Sequence, residues 1–210
     1  MKKYLLGCGG LIVLLTVVLG IGGCSSYNNL VKLEAGVDTQ WAQVQSVYQR
    51  RADLIPNLVN TVAGAANFEK STLEAVTQAR ASVGQVKLPE NQAPTRAEDL
   101  QKFQQAQDQL SGALSRLLVV VERYPDLRAN NNFTALQSQL EGTENRITVE
   151  RQRFNEAVQR YNTAVKTIPT RFIAALAGMQ PRPYFAAQPG AEQAPKVEFN
   201  FGNSKTSTNR

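Results

Sequence analysis

The spacing of apolar residues restricts this chain more than any other feature: through most of its length they recur every three or four positions, the period of one face of an α-helix. From Phe133 the series continues through Leu136, Leu140, Thr143, Ile147, Glu150, Phe154, Ala157, Tyr161, Ala164 and Ile168. At about 1.5 Å per residue that predicts one helix roughly 54 Å long. Leu100, Phe103, Gln107, Leu110, Leu114, Leu117, Val121 and Tyr124 repeat the same steps over another stretch, which Pro125 ends. A third series, Leu30, Leu33, Val37, Trp41, Val44 and Tyr48, stops at Arg50-Arg51-Ala52-Asp53. Asp53 is a good N-cap, and Pro56 would fall in a first helical turn, where a missing N–H costs nothing. The pattern therefore predicts a reversal at Asp53 and a second helix from Leu54 to about Val83, lined by Leu58, Val62, Ala65, Phe68, Val76 and Ala79. Gly84, Pro89, Asn91 and Pro94 mark a loop, and Thr95 followed by Glu98 has the form of a capping box. These elements imply an all-α fold, an elongated antiparallel up-and-down four-helix bundle.

The two ends of the chain break this pattern. Met1-Lys2-Lys3 is a short positive start and Leu11 to Ile21 an uncharged apolar core, as in an export signal. Ile21-Gly22-Gly23-Cys24 has the form of a lipobox, in which the Cys24 thiol accepts lipid and the mature chain begins there. The stretch from Tyr4 to Gly23 is also free of charge, so an uncleaved transmembrane helix, with Lys2 and Lys3 held in the cytoplasm, is the competing reading. Either way residues 1–24 are expected to anchor the chain to a membrane, with the helical domain of residues 25–177 facing outward. Pro169-Thr170 opens a short helix to Ala177, after which Gly178, Pro181, Pro183, Pro189 and Pro195 forbid long helices. Residues 178–210 are expected to be an extended tail. Within it, Lys196 to Phe201 alternates like a strand, and the small polar residues from Gly202 onward favour disorder.

Composition narrows the function classes. There is no histidine, and both cysteines, Cys8 and Cys24, lie in the N-terminal segment. The folded domain is thus left without a disulfide framework, a Cys/His zinc site or a histidine-dependent triad. Lys plus Arg number 23 against 17 for Asp plus Glu, a net charge of +6, of which Lys2 and Lys3 carry two. No dense basic run interleaved with aromatics accompanies this mild excess, so nucleic-acid binding is not expected. No nucleophile, base and oxyanion donors occur together, so neither catalytic residues nor a metal or cofactor is expected.

Several motifs carry a resemblance. They are Tyr27-Asn28-Asn29-Leu30-Val31, Trp41-Ala42-Gln43-Val44, the run Gln49-Arg50-Arg51-Ala52-Asp53-Leu54-Ile55-Pro56-Asn57-Leu58-Val59, Tyr124-Pro125-Asp126-Leu127, Glu141-Gly142-Thr143-Glu144-Asn145-Arg146-Ile147, Tyr161-Asn162, Pro183-Tyr184-Phe185 and Ala194-Pro195-Lys196-Val197. In this order, from about Tyr27 to Phe199, they closely resemble the LemA family of bacterial membrane-anchored proteins. The resemblance implies a long antiparallel helical domain exported on an N-terminal anchor, and no catalytic residues to carry over.

Remaining polar residues suggest where such a rod would work. With a reversal at Asp53, the far end of the first helix stands nearly 40 Å from the anchor. Arg50, Arg51 and Asp53 would then cluster with Arg123 and Arg128, and this tip is the candidate surface for an unidentified envelope protein. Glu150, on the inner phase, would need Arg51, Arg116 or Arg146 as partner. Asn57, Asn60, Asn145 and Asn162 are candidates for buried polar pairs. The expected function is a non-enzymatic scaffold or adaptor of the bacterial cell envelope, oligomerisation being possible. The rival is an oligomerising protein that remodels or permeabilises the bilayer.

Overall fold

The structure is a computed structural model and describes residues 2–65, 68–86, 88–89 and 92–186, with side chains from residue 20 onward. All regular structure among the described residues is helical: α1 (Lys2–Ala63), α2 (Lys70–Gln85), α3 (Ala97–Val121), α4 (Pro125–Arg128), α5 (Asn131–Lys166) and α6 (Thr170–Leu176). The strand-like stretch from Lys196 to Phe201 lies outside the described residues.

The reversal expected at Asp53 does not occur. Helix α1 passes through Pro56 without interruption and ends only at Ala63, before Gly64. A proline inside a helix deprives the carbonyl four residues earlier of its donor. Here that carbonyl belongs to Ala52, and the Nε of Arg80 on α2 donates to it at 3.1 Å. Asp53 caps nothing and instead accepts from Gln49 Nε2 within the same helix. The apolar series also continues: Leu30, Val37, Trp41, Val44, Tyr48, Arg51, Ile55, Leu58 and Val62 are all buried, in unbroken steps of seven, four and three. Arg51 occupies a core position in that series, which is why the stripe looked interrupted. The helix expected from Leu54 to Val83 is accordingly two pieces, the end of α1 and the separate α2.

Other boundaries follow their local chemistry. Asn130 caps α5, its Oδ1 accepting from the N–H groups of Asn132 and Phe133. The capping box at Thr95 does not form; α3 starts after Arg96, whose guanidinium holds Glu98 at 2.6 Å. A cis Ile168–Pro169 peptide leads from α5 into α6. Gly178, with φ of +69°, closes α6: its N–H donates to Ala175 and that of Met179 to Ala174, the paired bonds of a Schellman ending. Only glycine enters that left-handed conformation without strain.

Contacts between helices give their directions. The base of α1, at Gly23, lies against Ile173 of α6, and further along Arg51 meets Glu144 of α5, so α5 runs antiparallel to α1. The chain enters α3 beside Asp38, which accepts from the Ala93 N–H, and leaves it near Glu69, which pairs with Arg123. Thus α3 runs parallel to α1, and α2 returns between them. Backbones approach closest in two pairs, α1 with α5 and α2 with α3. Ala75, Ala79, Gly112 and Ala113 line an open depression between the second pair. Between the pairs stand the large rings: Trp41 lies 5.4 Å from Phe103 and 5.5 Å from Phe154, centroid to centroid. The core divides lengthwise into a segment around Trp41 near the base and a segment around Leu58, Leu114 and Phe133 near the far end. Arg51 lies between them along α1.

Candidate functional site: a buried arginine and a groove that holds the tail

Arg51 is 1% exposed and ties three helices together. From α1, its Nη1 donates to Ser111 Oγ on α3 at 2.8 Å and to Glu144 Oε1 on α5 at 2.5 Å. Its Nη2 donates to the carbonyl of Gln107 at 3.3 Å and to the side-chain oxygen of the same residue. The guanidinium also stacks over the Tyr48 ring, 5.2 Å from its centroid. A planar fork with five donors suits such convergence better than the single ammonium of a lysine. Burial lifts the Tyr48 phenol above its ordinary value, and the nearby Arg151 and Arg51 offset this only in part.

Toward the base, the chain beyond α6 returns as an extended segment and docks in a groove between α1, α3 and α5. Two asparagines of α5 read its backbone. Asn162 accepts from the Arg182 N–H at 2.7 Å and donates to the Arg182 carbonyl at 2.8 Å. Asn155 does the same for Phe185, at 2.9 and 3.2 Å. The spacing explains the match: seven residues of α-helix advance about 10.5 Å, whereas one three-residue turn of polyproline II advances about 9.3 Å. Pro181 and Pro183 preset the φ that such a turn needs. Side chains complete the lock. The Arg182 guanidinium reaches the Ala93 carbonyl at 3.1 Å and Glu34 at 2.6 Å. Phe185 is buried against Trp41 and Phe154, with Arg151 stacked on its ring at 4.7 Å. Gln104 and Arg151 both donate to the Ala186 carbonyl. In Asn155→Ala/Asn162→Ala, amide exchange at Arg182 and Phe185 should accelerate at least about ten-fold, since each asparagine holds a donor and an acceptor that cost about 1–3 kcal/mol if left unpaired in a buried site. Unchanged protection at both amides would mean the rings alone hold the segment.

The predicted site residues are not brought together. Arg51 is buried and cannot face a partner, and it lies about 18 Å before the end of α1 at about 1.5 Å per residue. Arg50 is exposed on the side of the rod, lining a shallow depression with Arg146, Glu150 and Arg153. Asp53 is exposed mid-helix. Of the expected tip, only Arg123 and Arg128 stand at the far end, paired with Glu69 and Glu122 respectively. A second depression there is lined by Gly64, Arg123, Asp126 and Asn130. Glu150 pairs with Arg153 one turn away rather than with Arg51, Arg116 or Arg146. Asn57, Asn60 and Asn145 are exposed; Asn162 is buried, but it binds the tail rather than another helix. Cys24 is exposed on α1, one residue beyond the level of α6. The sequence reading passed over Asn155, Glu34, Gln104 and Arg182. The only signal for them was the seven-residue spacing of Asn155 and Asn162 together with the late Pro-x-Pro.

Over 80 residues the chain is 30% identical to magnetosome protein MamQ of Magnetospirillum gryphiswaldense and to MamQ 2 of Paramagnetospirillum magneticum, covering 38% of this chain and 29% of each relative. It is 22% identical over 147 residues to protein LemA of Metamycoplasma hominis, covering 70% of this chain and 63% of that one. The chain thus spans less than a third of the magnetosome relatives and under two thirds of the mycoplasma protein. The LemA family model matches residues 40–199, which include Trp41, Arg51, both reading asparagines and the docked segment. With its motifs, its helices and this match in agreement, the chain belongs to the LemA family.

Proposed function

We propose that the chain is a membrane-anchored scaffold or adaptor of the bacterial cell envelope, non-enzymatic, whose helices form an up-and-down bundle presented as a rod. The observation that carries this reading is the continuity of α1, which leads from the uncharged N-terminal segment into the core without a break. From Gly23 to Ala63 it spans about 60 Å, so the far end of the domain is held rigidly away from the anchor. Among the described residues no helix is long and apolar enough to cross a membrane; the anchor is read from the sequence of residues 4–23. The depression bordered by Arg123, Asp126 and Asn130, with Arg128 nearby, is the surface offered to an envelope protein.

The experiment is proximity crosslinking of the full-length chain in bacterial cells, comparing wild type with Arg123→Gln/Arg128→Gln. Both arginines are exposed, so the thermal midpoint should stay within about 4 °C, each change being worth at most about 0.5 kcal/mol, while crosslinks to a specific envelope protein disappear. Crosslinks that survive, or that fall only in proportion to folded protein, would remove the docking role. The form of the anchor has its own test. If Cys24 carries lipid, Cys24→Ser leaves an uncleaved precursor without the hydrophobic mass; an unchanged mature mass and membrane partition would instead identify an uncleaved span.

A further inference from the structure

Apolar exposure on the described part of the molecule is concentrated at one end. Among the described residues the five most exposed large apolar side chains are Leu176 at 89%, Ile168 at 74%, Phe172 at 68%, Ile21 at 67% and Val119 at 66%. Four of the five lie at the base of the rod: Ile168 just beyond α5, Phe172 and Leu176 on α6, and Ile21 on α1. Only Val119, on α3, is elsewhere. The short helix α6 has two distinct sides. Ile173 and Ala174 face inward, onto α1 and the core, whereas Phe172 and Leu176, one turn apart, face outward with none of the described residues over them. Burying both would remove a large apolar area from water, so their exposure is a standing cost unless another phase covers them.

The position of α6 says which phase. Ile173 Cδ1 lies 3.7 Å from where a Cβ on Gly23 would be, so α6 packs on the turn of α1 that immediately precedes Cys24. In a span ending at Gly23 that turn is where the polypeptide leaves the bilayer; with a lipid on Cys24 the mature chain starts one residue further on, so α6 still lies beside the attachment point. Charge agrees. Lys166 and Arg171 are exposed at the same end and border one concave surface whose wall includes Val165, Ala174 and Met179. Two cations over an apolar wall complement an anionic headgroup above its acyl chains.

We infer that α6, with Ile168, Phe172 and Leu176 submerged and Lys166 and Arg171 at headgroup level, is a second membrane contact that lies in the bilayer interface beside the anchor. This rests on the anchored reading of residues 1–24. Together the two contacts fix the orientation of the rod, because one point of attachment leaves its tilt free and two do not. The submersion is that of an interfacial helix, about 5–10 Å into the headgroup and acyl boundary.

The test uses the full-length protein in vesicles of phosphatidylethanolamine and phosphatidylglycerol, with and without bromine on the acyl chains. Phe172→Trp and Leu176→Trp are compared with Val119→Trp, all retaining Trp41, which is buried about 27 Å along α1 from Gly23. Bromine should cut the added emission of Phe172→Trp and Leu176→Trp about two-fold or more and leave that of Val119→Trp unchanged, as expected for side chains 5–10 Å deep. All three positions are exposed, so each variant should keep the wild-type thermal midpoint. If the vesicles carry the protein on flotation but neither base variant is quenched, the interfacial contact is overturned and the anchor stands. Blue-shifted but unquenched emission would show another protein molecule over the face and would equally overturn it. Failure of the wild type to float would overturn the anchored reading and this contact together.

Discussion

Replacing Trp41 by alanine should destabilise the domain by about 3–5 kcal/mol, the usual cost of emptying a large buried aromatic site. The indole is fully buried where the base segments of α1, α3, α5 and the docked tail converge, against Phe103, Phe154 and Phe185. For a domain of this size such a loss lowers the thermal midpoint by on the order of 10 °C. The loss should extend beyond packing, because Phe185 stacks on Trp41 and is the apolar clasp of residues 182–186. Amide protection at Arg182 and Phe185 should therefore fall in Trp41→Ala even though both asparagines remain. Trp41→Phe should cost much less, about 1–2 kcal/mol, since it keeps a ring in place and removes an indole N–H that has no acceptor among the described residues. Equal midpoints for the alanine variant and the wild type, or native fluorescence typical of hydrated indole, would contradict the assignment.

Arg51→Ala should produce a comparable loss, about 3–5 kcal/mol by the measure of a buried pair with one partner removed. Glu144 is 43% exposed and can recover water once the arginine is gone, which places the expectation at the lower end of that range. The buried cost falls on Gln107, whose side-chain oxygen and carbonyl both accept from Arg51. Arg51→Met separates charge from volume. It keeps the stem on Tyr48 and in the seam, and substitution of a buried ion by an apolar side chain of similar size is often close to neutral. An alanine variant well below wild type with a methionine variant near it would assign Arg51 a role in registering three helices rather than in net stability. Equal and large losses in both would show that the hydrogen bonds themselves hold the three helices together.

Local structure was largely legible in the chain. The apolar series in α3 and α5 placed both helices, Pro169-Thr170 and Gly178 bounded α6, and Trp41 was placed in the core, because each is decided within a few residues by periodicity or backbone conformation. What misled at Asp53 and Pro56 was a good local signal overruled from a distance. A proline in a helix costs less when the carbonyl it leaves unpaired finds another donor, and Arg80, 28 residues later, supplies one to Ala52. Arg51 likewise looked like the end of an apolar stripe, since a charge belongs in a core seam only when acceptors converge on it. Those acceptors, Gln107, Ser111 and Glu144, come from helices 56 to 93 residues away. The tail followed the same rule. Pro181 and Pro183 announced an extended segment, but its docking required Asn155 and Asn162 on one face of α5, Glu34 on α1 and the Ala93 carbonyl before α3 to meet in space. Periodicity and capping act within a turn or two of helix and are written in neighbouring residues. The pairing of buried polar groups is satisfied only across the packed helices, so only the tertiary structure decided where α1 ends, what Arg51 does and where the tail lies.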